Sequence, residues 1–309
     1  MDPNSTHITH DFPPFFRVHN TGHIERYQVH DFVPPSPDPQ TGVVSRDVTI
    51  SPENHVSARI YLPKTTTTTQ KLPLIIYIHG GGFSIQSAFS SLYHNYVNSL
   101  ASQSLSVVVS IEYRLAPEHP IPACYDDCYA VMKWVDSHTR VGQGPDPWLN
   151  EHVDYRRVYV AGDSAGANLG HDMIIRANNG FGFKFTGLIL VHPFFGSDKP
   201  DKLWDFICPD KTGPNENRLN PSTDMDLLSK LGCERVLVCV GEKDFLRGRG
   251  WNYYQGLKRS EWKGVVEFFE SPGCDHVFHL FDLDCEHAVS LMKQIVSFVN
   301  SGGHVMSHF

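Results

Sequence analysis

Five residues, Gly162-Asp163-Ser164-Ala165-Gly166, constrain what this chain can fold into more than any other stretch. An apolar run, Arg157 to Ala161, precedes them and reads as a buried strand. Ala167 to Ala177 follows and reads as a helix. Strand, tight turn and helix with a serine at the apex is the G-x-S-x-G pattern of a nucleophile elbow. A strand that reverses sharply into a helix leaves no room for Cβ atoms beside the apex, so glycines flank it. The reversal strains the serine backbone and exposes its oxygen. The helix N-terminus behind it favours negative charge.

The rest of the chain supplies a sheet for that elbow. Two alternating runs, Val43 to Ile50 and Val56 to Leu62, are expected as an antiparallel pair. Leu72 to Ile78, Ser106 to Tyr113, Thr186 to Val191, Arg235 to Val240 and Gly264 to Glu270 are near-continuous apolar runs of the kind that form buried parallel strands. With the elbow strand that makes eight. Helices are expected between them, at Tyr93 to Ser102, Ala123 to His138, Arg249 to Ser260 and Ala288 to Asn300. Strands alternating with helices predict an α/β fold with a mostly parallel central sheet. No internal repeat or linker divides the chain, so residues 1–309 are expected as one domain. The proline-rich first forty residues cannot be regular interior structure and are expected as an arm laid over it. Residues 194–230 read as irregular, Thr65 to Thr69 as a surface loop, and 301–309 as a loose tail.

Composition excludes several classes. The net charge is −8 with no basic stripe, so nucleic acid is not an expected partner. No apolar run of about 18 residues suggests a membrane span. Met1 to Ser5 has neither a basic region nor an apolar core, so no secretory signal is expected. The seven cysteines have no zinc spacing and read as reduced, mostly buried thiols of a cytoplasmic protein. His7 with His10, or His276 with His279, could share a helix face, but no carboxylate cluster accompanies them, and no metal is expected.

A serine hydroxyl is a poor nucleophile at neutral pH. It needs a base, the base needs an orienting acid, and the developing oxyanion needs donors. Around an elbow of this kind the acid and base follow in the order Ser, Asp, His, at the carboxyl ends of strands. The strand ending at Val240 is followed by Asp244, with Glu242 as a rival. The strand ending at Glu270 is followed by His276, with His279 as a rival. His79-Gly80-Gly81-Gly82 follows another strand, where three glycines let backbone N–H groups converge on an oxygen. The amides of Gly81, Gly82 and Ala165 are the expected oxyanion hole. No G-K-[ST] follows, which removes a phosphate loop.

Together His79 to Phe83, Tyr113 to Pro120, Gly162 to Gly166, Gly241 to Leu246 and Asp275 to Phe278 resemble the plant carboxylesterases of the hormone-sensitive-lipase-like group of α/β-hydrolases. The resemblance runs from about Phe12 to Val299. It implies the α/β-hydrolase fold, an eight-stranded sheet with an N-terminal cap segment, and Ser164, Asp244 and His276 as a triad. It implies that residues 1–40 and part of 194–230 cap the site. The cap aromatics Phe15, Phe16, Phe194, Phe195, Trp204 and Phe206, with Phe83, are expected to line an apolar pocket for a small-molecule ester, and no cofactor is expected. The group also holds non-esterases: a hormone receptor with its histidine replaced, dehydratases that often carry threonine in place of the serine, and eliminating cyclases. Serine and histidine here count against the receptor and against a threonine-type dehydratase, and leave a cyclase or a serine-bearing dehydratase open. The eliminating lyase stays open as the alternative. The stretch Gly196 to Leu203 is short for the group.

Overall fold

The computed structural model describes residues 6–64, 71–139, 144–177, 180–210 and 216–301. The N-terminal segment departs from the expected irregular arm. It forms a small antiparallel sheet of β1 (Ile8–Phe12), β2 (Phe16–His19) and β3 (Ile24–Arg26). Pro13 and Pro14 fall in the turn between β1 and β2, where the missing N–H groups take nothing from the ladder. Phe16 is fully buried, and Phe12 and Phe16 pack on Phe206 of the domain. The arm is therefore ordered by burying its own aromatics.

The eight expected strands form one sheet. They are β4 (Val44–Ser51), β5 (Val56–Leu62), β6 (Leu72–Ile78), β7 (Val107–Glu112), β8 (Val153–Asp163), β9 (Phe185–Val191), β10 (Cys233–Gly241) and β11 (Val265–Ser271). Their order is β11-β10-β9-β8-β6-β7-β5-β4. β6 to β11 run parallel, while β4 and β5 are antiparallel additions at one edge. Every residue of β6 and β9 is buried, because helices cover both faces. Pro73 sits inside β6 where the pairing register with β8 shifts, so the ladder bends around its missing donor.

The helices are α1 (Ser91–Ser104), α2 (Ala123–Asp136), α3 (Pro147–His152), α4 (Ala165–Ala177), α5 (Lys202–Ile207), α6 (Met225–Ser229), α7 (Arg247–Arg259) and α8 (Glu286–Ser301). α1 and α8 cover one face of the sheet, and α2, α4 and α7 the other. The short helices α5 and α6 lie in the stretch expected as irregular, and α3 lies where no helix was expected. Each starts at an aspartate, Asp146, Asp201 or Asp224, whose carboxylate accepts the orphan amides of the first turn. Thr65 to Thr69 and residues 302–309 lie outside the described residues, and Ser301 closes α8. Among the described residues no helix is long and apolar enough to cross a membrane.

Candidate active site

After β6 the chain moves outward to β7, then returns to the other side of β6 for β8. That reversal leaves a crevice beyond the carboxyl ends of β6 and β8. Ser164 follows β8, Gly81 and Gly82 follow β6, and all three line one cavity of about 460 Å³ there.

Ser164 has φ 50°, the left-handed conformation an elbow imposes. Its N–H donates to the Val191 carbonyl at 2.9 Å, and its own carbonyl accepts the Phe194 N–H at 2.9 Å, so the end of β9 and the residues after it hold the turn. A Cβ on Gly162 would lie 2.5 Å from the Gly166 carbonyl carbon, and one on Gly166 would overlap the Ile78 carbonyl. The two glycines are therefore steric requirements of this turn.

His276 Nε2 lies 3.0 Å from Ser164 Oγ, and its Nδ1 lies 2.9 Å from Asp244 Oδ2. The three residues come from loops after β8, β10 and β11. The second Asp244 oxygen accepts the Leu246 N–H at 2.7 Å. Burial opposes ionisation of Asp244, but the hydrogen bonds from His192 and His276 outweigh it and hold its carboxyl well below the usual range. The rivals are elsewhere. Glu242 accepts the Gly273 N–H at 2.6 Å, and among the described residues neither ring nitrogen of the buried His279 is hydrogen-bonded.

Gly81 (φ 101°) and Gly82 (φ 58°) need glycine. A Cβ on Gly81 would overlap the Ile85 carbonyl, and one on Gly82 would enter the Phe15 ring. The N–H groups of Gly81, Gly82 and Ala165 have no hydrogen-bond partner among the described residues. The loop is held from behind. The Tyr93 hydroxyl accepts the Gly80 N–H, and the Tyr113 hydroxyl donates to the His79 carbonyl at 2.9 Å. Asp163 takes hydrogen bonds from Tyr77 and Tyr93, yet burial still pushes its carboxyl up to about 6.

The cavity wall is mostly apolar, with Phe15, Leu92, Phe194, Leu203, Phe245 and Leu280 among its residues. Pro13, Pro14, Phe15 and Gln28 come from the N-terminal segment. Of the aromatics expected on the pocket, Phe15 and Phe194 line the cavity, and Phe16, Phe83, Phe195, Trp204 and Phe206 do not. Phe83 and Trp204 form the layer behind it, each ring 5.6 Å from the other and edge-on. Phe195 stacks on Tyr253 on the far side of the sheet end. Phe195 turns away from the cavity next to Phe194, whose N–H is tied to the Ser164 carbonyl.

One site residue escaped the sequence. His192, directly after β9, places Nδ1 2.7 Å from Asp244 Oδ2. A histidine at the carboxyl end of a central parallel strand was the available signal. Among the described residues, His192, Asp244 and His276 are also the group whose ligand atoms lie close enough for a metal, within 4.8 Å. The Nδ1 atoms of both histidines are already spent on the carboxylate.

The sequence profile of the alpha/beta hydrolase fold matches residues 75–280. A 2-hydroxyisoflavanone dehydratase of Glycyrrhiza echinata is 42% identical, over 96% of this chain and 97% of that protein. Probable carboxylesterase 13 of Arabidopsis thaliana is 42% identical, over 94% and 98%. Among solved structures, a hyperthermophilic esterase from the archaeon Pyrobaculum calidifontis is 29% identical with a TM-score of 0.66, covering 84% of this chain and 86% of that one. A thermostable carboxylesterase cloned from a metagenomic library is 26% identical with a TM-score of 0.69, covering 89% and 91%. An elbow serine at the crevice of a mostly parallel sheet, with relatives along nearly its whole length, makes this chain a member of the α/β-hydrolase family.

Proposed function

We propose that the chain is a serine carboxylesterase that hydrolyses small, uncharged carboxylic esters through an acyl-enzyme. The observation that carries this reading is the unbroken hydrogen-bonded line from Asp244 through His276 to Ser164, ending at an apolar cavity. Ser164 Oγ attacks the ester carbonyl while His276 Nε2 takes its proton. Asp244 accepts the Nδ1–H, which keeps Nε2 bare for that task. The N–H groups of Gly81, Gly82 and Ala165 bind the tetrahedral oxyanion. The bond to the alcohol oxygen breaks, and His276 hands that oxygen the proton. Water, deprotonated by the same nitrogen, then attacks the acyl carbon; the bond to Ser164 Oγ breaks, Oγ takes that proton from His276, and the acid leaves. The proton account closes within the triad, without a cofactor.

The relatives named as carboxylesterases and the esterases among solved structures support hydrolysis. We read residues 1–309 as one domain with 1–40 and part of 194–230 as its cap. Support comes from the single sheet running from Val44 to Ser271 and from Phe15, Phe194 and Leu203 on the cavity wall. The seven cysteines are all unpaired, which supports a reducing compartment, and we place the chain in the cytoplasm on that ground.

The test is a fluorophosphonate probe. It should label the folded chain once, at Ser164, and Ser164→Ala should abolish labelling. A folded wild type that stays unlabelled overturns the reading. The relative named as a dehydratase favours a second reading, an eliminating lyase on the same scaffold. Labelling at Ser164 with no hydrolysis of any ester in a broad panel would select it.

A further inference from the structure

Asp244 carries a second imidazole. His192 Nδ1 lies 2.7 Å from Oδ2, the same oxygen that faces His276 Nδ1 at 2.9 Å. Neither the His192 nor the Asp244 side chain has any exposed surface. A strained backbone puts the ring there. His192 has φ 51°, held by its N–H to the Cys239 carbonyl at 2.7 Å. Val277, β-branched and at φ 48°, brings its N–H to 3.2 Å from His192 Nδ1. Two non-glycine residues in the left-handed region meet over one carboxylate, a cost the surroundings must overcome.

An imidazole nitrogen either donates or accepts. An ionised carboxylate only accepts, so Nδ1 of His192 carries the proton and donates to Asp244. The shorter, charge-assisted contact prevails over the one to Val277. Among the described residues the buried His192 Nε2 has no hydrogen-bond partner, and burial pushes the ring's pKa down, so the ring stays neutral. It is an N–H donor that adds no charge.

We propose that His192 is a positioning residue for the reaction: its N–H on Oδ2 lowers the basicity of Asp244 and holds that oxygen facing His276. The proposal rests on the triad reading above. When His276 takes the serine proton it becomes a cation, and Asp244 must stabilise it without removing its Nδ1 proton. A second donor on the oxygen weakens its pull on that proton. Without it the carboxylate attracts a proton on His276 more strongly, and the base is neutral only at higher pH.

Among the described residues, the titratable groups facing this pair are Asp163 at the end of β8, Asp244 after β10, and His276 and His279 in the stretch after β11. Burial holds His279 neutral. Burial pushes the Asp163 carboxyl up to about 6, but it is the same in every variant, so comparison removes its contribution.

The experiment measures the fluorophosphonate labelling rate of the full chain against pH, for wild type, His192→Phe and His192→Asn. His192→Phe should label about tenfold more slowly at the plateau, with the midpoint raised by about half a unit or more. His192→Asn, whose amide N–H can stand where Nδ1–H was, should recover most of both. A folded His192→Phe with the wild-type midpoint overturns the role. So does a His192→Asn as impaired as His192→Phe, since packing alone would then explain the loss. Proton NMR of the ¹⁵N-histidine-labelled wild type gives a check that needs no variant. Two strongly downfield imidazole N–H signals are expected from the two donors on Asp244, and a single one overturns the inference. A wild type that does not label removes the triad reading and this role together, whereas one that labels with both variants titrating identically removes this role alone.

Discussion

The Tyr93 hydroxyl donates to Asp163 Oδ2 at 2.8 Å while it accepts the Gly80 N–H at 2.8 Å. One phenol from α1 thus ties the residue before the nucleophile to the loop that carries Gly81 and Gly82. Removing that oxygen leaves a buried amide unpaired and takes one of two phenolic donors from a buried carboxylate. Tyr93→Phe is expected to lower kcat by on the order of tenfold with KM nearly unchanged, because the loop's amides serve the transition state more than the bound ester. Steady-state kinetics on a nitrophenyl ester decides it. An unchanged kcat in a folded variant would remove the link.

The carboxylates of Asp244 and Glu242 sit two residues apart and meet different partners, His276 and the Gly273 amide. Asp244→Asn should keep the fold and reduce turnover by a factor on the order of 10⁴, through the wrong imidazole tautomer. Glu242→Gln should cost less than about tenfold. The opposite ranking would show that the orienting acid was misassigned.

A cavity of about 460 Å³ lined by Phe15, Phe194 and Leu280 has room for a short acyl chain. Each methylene adds roughly 0.8 kcal/mol of binding only while it stays inside the wall. Acetyl to butyryl nitrophenyl esters should therefore be cleaved faster than esters of about ten carbons or more. A series of chain lengths measures this directly, and a maximum at the long end would refute the small-pocket reading.

Glu112 lies near the same loop, its carboxylate accepting from Ser87 Oγ and the Ala88 N–H, 4.0 Å from His79 Nε2. Burial pushes its pKa up to about 7, against those hydrogen bonds. An unfolded glutamate titrates near 4.3, so between these values the folded chain holds more protons than the unfolded one. This contribution to stability is complete below about pH 4.3 and is lost as pH rises through about 7. Glu112→Gln removes the penalty. Its melting temperature should exceed that of wild type at pH 8, and the difference should shrink towards pH 5. A gap that is constant over that range would mean Glu112 does not titrate there.

Much of the sheet was legible in the chain because burial on both faces leaves runs such as Leu74 to Ile78 and Leu188 to Val191 with no polar interruption. The helices α3, α5 and α6 were written more faintly. Asp146-Pro147 carries a capping aspartate and a first-turn proline, but five or six residues are too few for a periodic pattern to stand out. The strands β1 to β3 are shorter still, and their order comes from Phe12 and Phe16 meeting Phe206, a contact between segments nearly two hundred residues apart.

The local chemistry of the elbow was decided by sequence alone, since glycines at 162 and 166 and a serine between strand and helix leave one turn geometry available. Spacing on its own left Asp244 against Glu242 and His276 against His279 open, because loop residues two or three apart have nearly the same reach. Only the assembled sheet separates them. It sets the ends of β8, β9, β10 and β11 side by side, so that Ser164, His192, Asp244 and His276 fall within hydrogen-bonding distance in one chain of contacts. His192 shows the difference most plainly. Its neighbour Asp244 is 52 residues away in the chain, and no local pattern encodes a contact that parallel pairing of β9 with β10 creates.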